Sequence, residues 1–222
     1  MRPNPVIWIG LFIIAALATL AAHYFPYFPG DVAVERWVQA TVPQNLNWAE
    51  GVSRAGQFPW VLLILALVLA LSRALAGWRA AALSMISLVG LLALGNWVLS
   101  PAIARPRPSP ELVRVFRPFS GYGFPSLSAL VFAATFGFLA ILAAVKSSGW
   151  RRACLLLGCG ALLILGGAAR IALGAHWPSD VLISYYLGLL WSACLIRFFL
   201  PGSPKRLASR KDAKSQNKGA KM

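Results

Sequence analysis

Apolar and polar positions along this chain fall in blocks rather than alternating at a helical or strand period. Six stretches, residues 6–22, 60–76, 80–99, 125–145, 153–173 and 181–200, are almost continuously apolar. Each is close to the roughly 20 residues an α-helix needs to cross a hydrocarbon core about 30 Å thick. The pattern predicts an all-α integral membrane protein, a six-transmembrane helical bundle over residues 1–200, followed by a basic, flexible tail at 201–222. The first stretch follows Arg2 and ends on Ala21 and Ala22, as a signal peptide would. Its apolar run exceeds the usual h-region of about 7–15 residues, and no clean cleavage site follows, so it is read as a span. No repeat of 20–50 residues is present.

Composition agrees with a lipid solvent. The chain is 59% hydrophobic and 12% charged, against about 45–50% and about 25% in ordinary globular domains. That excludes a water-soluble globule and intrinsic disorder. Cys154, Cys159 and Cys194 show no metal or disulfide spacing and read as buried thiols. No carboxylate lies inside any of the six stretches, which argues against an ion-coupled transporter.

Charge sets the orientation. Of 21 Lys and Arg, fourteen fall on the side that holds both termini, seven of them in the tail. This bias places both ends in the cytoplasm and the other face in the periplasm or exterior. The basic tail suits anionic lipid better than nucleic acid. On the outward side, residues 23–59 are rich in aromatics and predict interfacial helices, with His23 an interface residue. Against the trend, Arg105, Arg107, Arg114 and Arg117 crowd one outward loop with a single acid, Glu111. Guanidinium forks match phosphate geometry, so an anion site is expected there.

Three outward segments carry candidate chemistry. Arg105-Pro106-Arg107-Pro108 follows the third span, Pro125-Ser126-Leu127-Ser128 opens the fourth, and Arg170 to Asp180 joins the fifth to the sixth. Pro125 suits the first turn of a helix, whose free N–H groups make an anion cradle. His176 and Asp180 are four apart, a spacing that can bring imidazole and carboxylate together. A carboxylate holding one ring nitrogen leaves the other free to attack. Arg107 and Arg170 would neutralise the oxygens of the group attacked.

On these motifs the chain resembles the phosphatidic acid phosphatase type 2 superfamily of membrane lipid phosphatases, related in fold to vanadium haloperoxidases. Its pattern reads Lys-x6-Arg-Pro, then Pro-Ser-Gly-His, then Ser-Arg-x5-His-x3-Asp. The third motif matches at Arg170, His176 and Asp180, with Ala169 for its Ser. The second matches at Pro125 and Ser126, with Leu127 and Ser128 for Gly and His. The first matches at Arg107-Pro108, with Ser100 at the Lys position.

The resemblance implies a phosphohistidine nucleophile at His176, supported by Asp180, with Arg107, Arg170, Ser126, Arg105 and Ser128 binding phosphate. It implies no metal and no cofactor. The missing general acid, typically worth about 10²–10⁴-fold, disfavours simple monoesters. A pyrophosphorylated lipid, whose leaving group needs no proton, suits the set better. The alternative is a catalytically inactive member that binds or carries a phosphorylated lipid; a purely structural membrane subunit is the third reading.

Overall fold

A computed structural model describes residues 4–200; the expected tail lies outside the described residues. Among those residues the only regular secondary structure is helical. Six apolar helices correspond to the six stretches: α1 (Pro5–Tyr24), α4 (Val61–Ala76), α5 (Trp78–Ile103), α6 (Leu127–Lys146), α7 (Gly149–Ala172) and α8 (Pro178–Phe199). Five are long and apolar enough to cross a membrane, while α4 has 16 residues. The protein is an integral membrane protein. Two shorter helices, α2 (Asp31–Thr41) and α3 (Asn47–Ala55), occupy the long 23–59 connection.

The bundle is built around α6, whose residues are mostly buried. Phe132, Phe136 and Leu139 pack against Val68 of α4 and Cys159 of α7. Leu130, Val131 and Ala134 pack against Leu88 and Leu91 of α5. Small residues permit the close approaches. A Cβ on Gly188 would lie 2.4 Å from the Ala133 side chain, and one on Gly166 would lie 2.6 Å from Phe132. Gly158 and Gly160 face open space and serve no such contact. Only Cys159 is buried; Cys194 is half-buried and Cys154 exposed, so the expectation of three buried thiols holds for one.

Two helices depart from α geometry. α5 widens to a π-helix over Leu94–Leu99, and α6 does so over Ala133–Gly137. Such segments re-aim side chains and recur at functional sites. Both lie in helices that border the cavity described below.

The segment between α5 and α6, residues 104–126, is a strap held across one end of the bundle. Gln39 of α2 grips it twice: its amide donates to the Arg114 carbonyl at 2.7 Å and its oxygen accepts the Arg114 N–H at 3.1 Å. Arg36 donates to the Leu112 carbonyl at 2.8 Å. The turn between α7 and α8 meets the strap at Gly174, where φ is +64° and a Cβ would fall 2.3 Å from the Arg114 carbonyl. Only glycine satisfies both the left-handed backbone and the contact. α2 thus acts as a clamp that fixes the strap over the α7–α8 turn.

Candidate active site

Each candidate residue is positioned by a different local device. The Arg170 side chain projects from the last turn of α7. His176 sits in the turn before α8, which starts at Pro178. Arg107 lies on the strap. Together with Arg117 they line one cavity of about 760 Å³. Its lining includes those four residues and the apolar Phe58, Val61, Leu92, Leu127 and Val131. Among the described residues no carboxylate lines it.

The three guanidiniums share an aromatic anchor. Arg107, Arg117 and Arg170 lie 5.7, 5.1 and 5.5 Å from the Phe119 ring centroid. Cation–π attraction offsets part of their mutual repulsion. Arg107 is fixed further by donating to the carbonyls of Ser120 (2.9 Å) and Ala175 (2.6 Å). Arg170 donates to Ser53 Oγ of α3, while its buried Nε–H has no partner. Buried donors of this kind are few in folded proteins.

His176 is fully embedded. Its Nδ1 lies 2.6 Å from the Gly123 carbonyl, which has no hydrogen to give, so the proton is on Nδ1. Nε2 therefore carries the lone pair and lies 3.3 Å from Arg107 Nη1. Burial, and then the charges of Arg170 and Arg107, push the imidazole well below its usual range, with the Gly123 bond acting in the opposite direction. The ring is neutral at pH 7, with its nucleophilic nitrogen among the arginines. Burial also lowers Arg107, against a smaller raising effect of Asp180; a guanidinium remains charged even so.

Three expectations change. Asp180 does not hold the His176 ring. One of its oxygens accepts the Trp177 N–H at 3.0 Å, capping α8, and the other pairs with Arg105. Arg105 does not reach the cavity. It is buried between Asp180, Asp31 of α2 (3.4 Å), Ser179 Oγ (2.9 Å) and the Phe25 carbonyl (2.9 Å), with its guanidinium 4.7 Å from the Phe28 ring. This is a structural knot, and a buried arginine needs every such partner. Ser126 is the N-cap of α6, its Oγ accepting the Ala129 N–H at 3.4 Å and its own N–H donating to Ser184 Oγ at 3.0 Å. Pro125 consequently precedes the helix instead of sitting in its first turn, and the cap takes the place of the expected anion cradle.

Ser128 and Ser100, at the family's His and Lys positions, both line the cavity. His23 is exposed and donates to the Ile103 carbonyl at 3.1 Å, tying α1 to α5. Arg117 belongs to the arginine cluster expected to bind an anion, whereas Phe119 and Gly123 are site residues that spacing alone does not single out. Phe119 follows the last of those arginines by two residues. The carbonyl of Gly123 leaves no signature, because a backbone acceptor is common to every residue.

The PAP2 superfamily model matches residues 80–201, and the chain belongs to that superfamily. The match covers α5 to α8 and the strap, and so Arg107, Arg170, His176 and Asp180. Among solved structures, the chain is similar to the first transmembrane PAP2 type phosphatidylglycerolphosphate phosphatase from Bacillus subtilis. The TM-score is 0.67 at 22% identity, covering 86% of this chain and 94% of that one. At that identity the likeness establishes the fold. No curated protein sequence matches the chain.

Proposed function

We propose that the protein is a membrane lipid phosphatase or phosphotransferase, with its site at the extracytoplasmic face, working through a phosphohistidine at His176. The observation that carries this reading is the neutral His176 ring, with Nδ1 bonded to Gly123 at 2.6 Å and Nε2 3.3 Å from Arg107. Arg107, Arg117 and Arg170 would hold the phosphoryl oxygens, where negative charge develops in transfer. Nε2 forms a bond to phosphorus as the bond from phosphorus to the leaving oxygen breaks, and that oxygen takes the electron pair. Water then adds to phosphorus as the P–N bond breaks, the pair returns to Nε2, and both water protons leave on inorganic phosphate.

The leaving group decides the substrate. Ser128 stands where the family has its acid, and a hydroxyl does not donate its proton near neutral pH. A lipid diphosphate fits: its leaving group is a lipid monophosphate, which departs as an anion. The apolar side chains that line the cavity suit the first segment of a hydrocarbon tail. Phosphate release from a lipid diphosphate and a lipid monophosphate by the purified protein, beside His176→Ala, tests this. Release from the diphosphate at least tenfold faster, abolished in His176→Ala, is expected. No release by the wild type, with lipid binding retained, would favour the inactive lipid-binding alternative.

A further inference from the structure

Within α5, one polar side chain well inside the span lines the cavity. Asn96 is seven residues inward of Ile103, about 10 Å at 1.5 Å per residue, inside an apolar span. Its carboxamide is exposed, makes no hydrogen bond to a described residue, and lines the cavity, where it is free to bond a bound molecule. The π segment Leu94–Leu99 sets its direction. Next to it, Gly95 draws α5 against α6, where a Cβ would lie 2.4 Å from the Leu130 side chain.

Ser100, Asn96 and Leu92 line the cavity from successive turns of α5, counted inward from the end that joins the strap, and Gln57 and Ser128 add polar groups from the α3–α4 connection and the first turn of α6. Along α5 the lining therefore runs from the strap, which carries Arg107 and Arg117, through a neutral hydrogen-bonding rung, Ser100 and Asn96, to the apolar Leu92. A phosphate attached directly to a hydrocarbon would leave the middle rung unmatched against methylene groups. A lipid with further oxygens between its scissile phosphate and its chains would satisfy it.

We propose that Asn96 is a specificity-determining residue whose amide donates to an oxygen of the lipid lying between the scissile phosphate and the hydrocarbon. It rests on the phosphate site proposed above. Two lipid types carry such an oxygen: a diphosphate, in its second phosphate, and a glycerolipid, in its ester groups. The residue selects against lipids whose phosphate joins a bare alkyl chain.

Equilibrium binding of three probes to His176→Ala protein in nanodiscs tests this independently of turnover. The probes are dodecyl phosphate, a dioleoyl phosphatidic acid and a farnesyl diphosphate, each measured with Asn96 intact and as Asn96→Leu. One neutral hydrogen bond lost corresponds to a Kd weakened about three- to tenfold. Asn96→Leu is expected to weaken at least one oxygen-bearing probe by that factor and leave dodecyl phosphate within twofold, which also shows the bundle intact. Loss confined to the diphosphate identifies its second phosphate as the partner, and loss confined to phosphatidic acid identifies the esters. Asn96→Gln should restore part of the affinity. Equal weakening of all three probes, or of none, overturns the assignment. If these outcomes hold but the wild type releases no phosphate from any lipid, the phosphatase reading fails and the role of Asn96 stands.

Discussion

The imidazole of His176 is held by a backbone carbonyl, that of Gly123, at 2.6 Å. The same glycine donates its N–H to the Arg105 carbonyl at 2.7 Å. A chain of two short hydrogen bonds thus runs from Arg105 through Gly123 to the ring and fixes its tautomer. Asp180 acts one step away, by anchoring the Arg105 side chain.

A side chain at position 123 should disturb that carbonyl. A Cβ there would lie 2.8 Å from the Pro106 carbonyl oxygen and 3.3 Å from Arg107 Cα, both backbone atoms. Gly123→Ala is expected to lower kcat at least tenfold with KM changed less, and ¹⁵N NMR of labelled histidine should show loss of the Nδ1–H tautomer. Wild-type kcat with an unchanged tautomer would contradict the role of this carbonyl.

Loss of Asp180 should act first on stability. Asp180→Ala leaves Arg105 buried with Asp31 as its one remaining carboxylate partner, at 3.4 Å, and removes the cap on Trp177. Breaking a buried pair from one side costs about 3–5 kcal/mol. The expected result is a lower Tm in detergent, with the histidine tautomer of the folded fraction unchanged. A switched tautomer at unchanged Tm would show that Asp180 orients the ring after all.

Glu35, one turn beyond Asp31 on α2, is buried with both carboxylate oxygens unpartnered. Burial, with smaller contributions from Asp31 and Asp180, raises its pKa from 4.5 to about 9. Between those values the folded protein binds a proton that the unfolded chain has lost, so this group makes stability fall as pH rises through the window. Above about 9 both states are ionised and the slope ends. Glu35→Gln should remove this part of the slope, giving a flatter Tm between pH 5 and 9; an unchanged slope would place the titration elsewhere.

Turnover should stay free of histidine protonation at ordinary pH. Because His176 lies well below 6.5, the acid limb of kcat/KM from this group should fall below the usual histidine range. An acid limb centred near 6.5 that disappears with His176 would indicate a solvated, polar ring environment in place of the buried one.

The membrane architecture was legible in the sequence because lipid imposes it: six apolar runs became six helices, with no edge moved by more than four residues. The placement of Arg107, Arg170 and His176 on one cavity was also legible, from spacing plus their common side of the bundle. The division of labour between Arg105 and Arg107 was not. Both are Arg-Pro dipeptides, and only the tertiary pairing of Arg105 with Asp31, 74 residues away, separates the buried knot from the cavity. The i, i+4 spacing of His176 and Asp180 suggested a contact, but α8 starts between them, so Asp180 turns to cap the helix while His176 stays in the turn. Asn96 was silent for a related reason, since a lone amide in an apolar run shows its face only once the helix has a neighbour.

The covalent intermediate is the most direct test. Protein incubated briefly with a lipid diphosphate labelled in its terminal phosphate, quenched in alkali and digested, should carry label on the peptide containing His176, stable to base and lost in acid. Label should be absent from His176→Ala. Rapid phosphate release with no labelled histidine at any quench time, or label that persists in His176→Ala, would contradict nucleophilic attack by this ring.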